Sequence, residues 1–159
     1  MLGVDPGLVA TGYGVIEPGP GGLAVLARGV VSTTADQPLE ERLHAIYDGL
    51  DALLARHAPA LVALEDLYTE YRFPRTALQM AHARGVICLA ARQRGVTVLS
   101  LAPAEVKRAL AAHGAASKAQ VQHCVQRLLR LPNLPRPSHV ADALALALTG
   151  LSRAGVRIG

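Results

Sequence analysis

Leu2-Gly3-Val4-Asp5-Pro6-Gly7, followed closely by Thr11-Gly12-Tyr13-Gly14-Val15-Ile16, governs how the rest of the 159-residue chain is read. Leu2-Gly3-Val4 is a short apolar run, and Asp5-Pro6-Gly7 is a turn signal that ends it. Tyr13–Ile16 is a second apolar run, closed by Glu17-Pro18-Gly19-Pro20-Gly21-Gly22, which reads as a hairpin loop. Leu23–Val31 is a third. Three such runs in succession predict an antiparallel meander.

Beyond residue 37 the apolar period lengthens. Pro38 opens a helix in which Leu39, Leu43, Ile46, Leu50 and Leu53 recur at helical spacing, up to about His57. Ala60–Leu64, ending in Glu65-Asp66, reads as a buried strand, and residues 66–73 read as a loop. A helix over about 74–94 and a strand at Val96–Leu99 come next. Pro103 starts a short helix to about Ala112, and Ser117 is a fitting N-cap for a helix carrying Val121, Val125 and Leu128. The last helix starts near Ser138 and carries Val140, Leu144, Ala147, Leu148 and Leu151. The order βββαβαβααα predicts an α/β fold, a mixed five-stranded sheet with helices on both faces, in a single domain spanning 1–159.

With 5 aromatics and 51% apolar residues, the core must be built from Ala, Leu and Val. No apolar run approaches the roughly 18–20 residues of a membrane span, and the start lacks the features of a secretory signal. Two cysteines, Cys88 and Cys124, cannot make a disulfide framework and read as reduced core thiols of a cytoplasmic protein. The net charge of +4 hides an asymmetry. Residues 1–70 hold 3 basic and 10 acidic groups, whereas residues 71–137 hold 11 basic groups and one acid, Glu105. Such a segment is either an ordinary solvated surface in an Arg-rich chain or a polyanion footprint. In the second case the phosphate contacts would come from Arg72, Arg75, Arg84, Lys107, Arg108, Lys118 and Arg127.

Three acids stand where apolar residues are expected. Asp5 and Glu65 each end an apolar strand, and Asp142 lies within the apolar run Val140–Leu148. A buried carboxylate is costly unless paired or metal-bound, and no Lys or Arg lies near in sequence. His139 precedes Asp142 by three residues, so both face one side of the first helical turn. Such a set suits one or two hard divalent ions, Mg²⁺ or Mn²⁺. Each residue also has an ordinary reading: Asp5 as a turn residue, Glu65 as a solvated strand end, Asp142 at the positive end of a helix, His139 on the surface. Spacing alone does not choose between them.

Gly3-Val4-Asp5-Pro6-Gly7 with Thr11-Gly12-Tyr13-Gly14-Val15 resembles the first two strands of RuvC-type Holliday-junction resolvases. Leu64-Glu65-Asp66, Ala83-Arg84-Gly85-Val86, Val106-Lys107-Arg108, Ser117–His123 and Ala141-Asp142-Ala143-Leu144-Ala145 match the same family in order, from residue 2 to about 150. The resemblance implies an RNase H-like fold and a homodimer. It also implies paired nicks across a four-way DNA junction, by metal-assisted phosphodiester hydrolysis in recombination and repair. The family's acids carry over to Asp5, Glu65 and Asp142, and its fourth acidic position falls on His139, a departure that bears on metal preference. These four would hold two ions per subunit, and Lys118 would neutralise the phosphate in the transition state. Lys107 and Lys118 match family residues near the DNA. Tyr68 stands where the family places an aromatic that stacks on a junction base, in a loop that also holds Tyr71 and Phe73, beside Arg72 and Arg75. Gly7, Gly12 and Gly14 would either let the backbone approach DNA or serve turn geometry. The face of the 74–94 helix with Ala77, Ala81, Gly85 and Leu89 would pack against a second copy, and a RuvA–RuvB branch-migration complex is the implied partner. Competing readings are an RNase H-like nuclease acting on RNA or unbranched DNA, and a non-catalytic junction-binding module. A sugar-kinase-like phosphate binder would need far more chain.

Overall fold

The computed structural model describes residues 1–67, 74–111 and 114–159. Its elements are β1 (Leu2–Asp5), β2 (Ala10–Gly19), β3 (Gly22–Ser32), α1 (Leu39–His57), β4 (Leu61–Glu65), α2 (Pro74–Gln93), β5 (Thr97–Leu101), α3 (Pro103–Ala111), α4 (Lys118–Leu128) and α5 (Ser138–Arg153). The strands pair in the order β3-β2-β1-β4-β5. β1, β2 and β3 are antiparallel, as short connections require, whereas β4 runs parallel to β1 and β5 parallel to β4. The parallel strands are reached through the crossover helices α1 and α2. The α/β reading and the mixed five-stranded sheet therefore hold.

The first hairpin is tighter than its composition suggests. Glu17, Pro18 and Gly19 belong to β2, so the loop is reduced to Pro20-Gly21. Pro18 is tolerated because β1 has run out by then: Met1 and Ile16 exchange the last backbone bonds of that pair, and Pro18 faces only Leu23 of β3. A missing N–H does no harm on a strand with a free side. At α4, Ser117 caps as expected: its hydroxyl accepts from the Gln120 N–H at 3.2 Å, and the Gln120 side chain accepts from the Ser117 N–H at 2.7 Å.

Strand alternation sorts the core into two layers. Leu2, Val4, Val62 and Leu64 pack with Ile46 and Leu50 of α1 and Ala83 and Ile87 of α2. Ile16 and Ala63 belong to the opposite layer, with Val106 of α3, Val125 of α4 and the buried face of α5. On this side α5 lies almost on the backbone of the sheet. A Cβ on Gly3 would sit 2.0 Å from the Ala143 carbonyl oxygen, one on Gly12 2.1 Å from the His139 carbonyl oxygen, and one on Gly14 2.5 Å from Leu144 Cδ2. Gly12 and Gly14 thus exist for the helix, and the expectation that they admit DNA or shape a turn is corrected. Gly7 does serve the turn, where a Cβ would lie 2.4 Å from the Ala10 carbonyl oxygen. Cys88 and Cys124 are free thiols, half-buried.

Candidate active site

The parity of β1 and β4 aims their terminal acids. Asp5 shares a face with Gly3, and Glu65 with Ala63, so both side chains belong to the α5 layer. The parallel register Gly3↔Ala63 and Val4↔Leu64 brings Asp5 alongside Glu65 at its next step. Both stand at the carboxyl ends of parallel strands, the edge where α/β sheets bind ligands. The first turn of α5 crosses that same edge, and it can do so because Gly12, the cross-strand neighbour of Asp5, leaves room for the His139 backbone.

The result is a cluster drawn from three distant parts of the chain. His139 Nδ1 lies 2.7 Å from Asp5 Oδ2. Lys118 Nζ donates to Asp142 Oδ2 at 2.5 Å. One ligand atom each from Asp5, His139 and Asp142 all fall within 4.8 Å of one another. Glu65 is outside that group but lines the same cavity, about 630 Å³ in volume, together with Lys107 and Lys118. Asp5 is 8% exposed.

Burial and mutual repulsion act together on the acids of the cavity. Burial pushes the Glu65 carboxyl up to about 7, the charges of Asp5 and Asp142 push the same way, and Lys118 and Arg84 offset this only in part. Asp5 is also raised, chiefly by burial, against the pull of its hydrogen bond to His139. Among the described residues, three carboxylates share the cavity, and one lysine, Lys118, is in direct contact with one of them. Carboxylate oxygens plus one imidazole form a donor set that fits a hard or borderline divalent ion such as Mg²⁺ or Mn²⁺.

A pH dependence follows from Glu65. Folding raises its pKa from 4.5 to about 7, so the metal-free folded state binds the extra proton between those values. Its stability therefore falls as pH rises through that window. A divalent ion held beside Glu65 would offset the burial and the repulsion by Asp5 and Asp142 that together cause the fall, and would compete with the proton. The gain in melting temperature on replacing EDTA by Mn²⁺ is expected to widen from about pH 5 to about pH 8. A gain that stays flat across that range would place Glu65 outside the field of the ion.

The basic residues divide. Lys107 on α3 is half-buried and lines the cavity. Arg75, in the first turn of α2, is exposed next to Thr76, which does line it. Arg108 and Arg127 are exposed. Arg84 does not present a free cation to a phosphate, as the polyanion reading of the basic segment would require. It donates to the Glu65 carbonyl and, at 2.7 Å, to Ser100 Oγ, and lies 3.4 Å from Asp66 Oδ1. Tyr68 and Arg72, with Tyr71 and Phe73, lie outside the described residues. The cavity also has walls that no motif announced: Leu8 and Val9 after β1, and Thr76 and Gln79 of α2. Only the placement of α2 over the strand ends reveals the last two.

The family model described as "Crossover junction endodeoxyribonuclease RuvC" matches residues 1–150. A protein of that name from Thermomicrobium roseum is 47% identical over 148 residues, covering 93% of this chain and 90% of its own length. One from Rhodopirellula baltica is 45% identical over 150 residues, covering 94% of this chain and 84% of its own length. Among solved structures, T. thermophilus RuvC in complex with Holliday junction substrate superposes with a TM-score of 0.89 at 39% identity, covering 97% of this chain and 94% of that one. The similarity runs through both strand ends and the α5 turn that build the cluster, and by it the chain belongs to the RuvC family of crossover junction endodeoxyribonucleases.

Proposed function

We infer that the chain is an endonuclease that resolves four-way DNA junctions. The observation that carries the inference is the convergence of Asp5, His139, Asp142 and Glu65 on one cavity, in a chain this close to a relative solved with a Holliday junction. Asp5, Glu65, Asp142 and His139 would hold divalent metal, two ions per subunit in our reading. Bound there, the metal would supply an activated water and stabilise the leaving oxygen. The rest falls to the chain. Lys118, held beside Asp142, offsets phosphate charge as it builds up in the transition state. Lys107 and Arg75 engage the backbone of the DNA arm beside the cavity, while Tyr68 and Arg72 would meet the crossover.

The direct test compares a synthetic four-way junction with a linear duplex and an RNA hybrid of the same sequence, with Mg²⁺ or Mn²⁺. Junction cleavage is expected to exceed the others by more than about a hundredfold, a transition-state difference near 3 kcal/mol. Comparable rates on all three would favour a general RNase H-like nuclease. Junction binding without cleavage under any metal would favour a binding module. The expected setting is the cytoplasm, with a RuvA–RuvB branch-migration complex carried over from the family.

Paired nicks require two active sites, and α2 offers a surface for a homodimer. Leu78 is 63% exposed and Leu89 52%, with Ala81 and Gly85 exposed between them on the same helical face. A Cβ on Gly85 would meet nothing within 4 Å, so a second helix has room to approach there. Leu78→Arg with Leu89→Arg is expected to yield a folded monomer by sedimentation and to abolish paired nicking. An unchanged dimer would move the interface elsewhere.

A further inference from the structure

Arg84 lies on α2, behind the sheet from α5, and its guanidinium reaches the open ends of β4 and β5. One arm donates to the backbone carbonyl of Glu65 and the other to Ser100 Oγ on β5, with Asp66 Oδ1 at 3.4 Å. The side chain is 17% exposed, so these contacts consume most of its donor surface. They fall where the β4–β5 ladder stops: Leu64 pairs with Ser100 and Glu65 with Leu101, and the Asp66 N–H still reaches the Leu101 carbonyl at 2.9 Å. Beyond that point the chain leaves the sheet. Glu65 therefore hangs on the last strand residue, and the direction of its carboxylate depends on how firmly that residue is held. A planar fork that spans two strands holds it in a way a single hydrogen bond does not.

We propose that Arg84 is a positioning residue for the metal site. From α2 it clamps the Glu65 backbone to β5, so that the Glu65 carboxylate faces the ion, and it makes no phosphate contact. This rests on the metal-site reading given above. It assigns to the Ala83-Arg84-Gly85-Val86 stretch a part in catalysis that its sequence, read as part of a basic segment, does not suggest.

The test uses full-length Arg84→Gln, Arg84→Lys and Ser100→Ala beside the wild type. Mn²⁺ uptake by the protein alone is followed by the EPR signal of free Mn²⁺, and junction binding is followed in EDTA across a salt series. Arg84→Gln is expected to weaken Mn²⁺ binding by about 10- to 100-fold, the usual effect of removing a group that holds a metal ligand in place. Junction affinity and its slope against log salt should stay unchanged, because no phosphate contact is lost. Arg84→Lys keeps the charge but cannot span two strands, so it should remain impaired. Full recovery of Mn²⁺ binding in Arg84→Lys would show that charge alone matters and would overturn the clamp. Unchanged Mn²⁺ binding in Arg84→Gln, with or without a shallower salt slope, would overturn it too. Should both Arg84 variants fail to fold, Ser100→Ala decides. Weaker Mn²⁺ binding at an unaltered melting temperature supports the clamp, and wild-type binding refutes it. A wild type that takes up no Mn²⁺ and cuts no junction would instead refute the function on which the inference rests.

Discussion

Asp5→Asn is expected to lower junction cleavage by at least about a thousandfold, which is about 4 kcal/mol of transition-state stabilisation, and to leave junction binding within about twofold. The substitution keeps shape and volume but removes one negative charge from a buried member of the proposed metal-binding set, and metal assistance is worth several kcal/mol. Binding rests on basic groups and junction shape, neither of which changes. A second effect separates this from simple damage. Asp5 is buried and raised above its ordinary range, first by burial and then by the charge of Asp142, opposed by the hydrogen bond to His139. A neutral amide escapes both penalties. The EDTA-treated variant should therefore melt no lower than the wild type near neutral pH, and should lose the stabilisation by Mn²⁺. Lost activity with kept or improved stability marks a residue retained for chemistry at a cost to the fold. Residual turnover near the wild-type rate would remove Asp5 from the site, whatever the melting temperature.

The acids could be picked out of the sequence because the cost of burying charge is local: a carboxylate inside Leu2–Asp5, Leu61–Glu65 or Val140–Leu148 stands out from its own neighbours. Strand parity also puts Asp5 and Glu65 on one face once β1 and β4 are known to be parallel and in register. What the neighbours do not encode is distance. Glu65 shares the cavity without joining the 4.8 Å group of Asp5, His139 and Asp142, and no spacing rule separates those outcomes. From composition the hairpin loop looks longer than it is, because Glu17-Pro18-Gly19 has loop composition. Its strand pairing depends on β1 having ended, which is a property of the sheet. Arg84 looked like one more cation in a basic segment, because its partners, the carbonyl of Glu65 and Ser100 Oγ, lie 19 residues before and 16 after it. The glycines escaped for the same reason: Gly12 and Gly14 answer to a helix more than a hundred residues downstream.

That helix contact sets the second large expectation. Gly12→Ala places a Cβ 2.1 Å from the carbonyl oxygen of His139, 2.5 Å from its carbonyl carbon and 2.9 Å from its Cβ. Two of the three atoms are backbone and cannot rotate away. Gly12 is itself held between Asp5 of β1 and Val30 of β3, so the strand cannot yield either. The first turn of α5 must lift, and it carries His139 and Asp142 with it. Overpacking of this kind costs about 1–3 kcal/mol of stability, and a displacement near 1 Å costs about a hundredfold in rate. Gly12→Ala should therefore lose about two orders of magnitude in cleavage while still folding, with Mn²⁺ affinity reduced. Gly21→Ala, where a Cβ meets nothing within 4 Å, should match the wild type in both. Gly3→Ala meets Ala143 and Ala147, further along α5. It should cost comparable stability but less rate, since the helix can pivot about its first turn. Denaturant unfolding alongside cleavage and Mn²⁺ binding separates the three. If Gly12→Ala loses activity only in proportion to its unfolded fraction, as Gly3→Ala would, the contact serves the fold alone. A loss beyond that fraction means the missing side chain beside Asp5 is what lets His139 reach it.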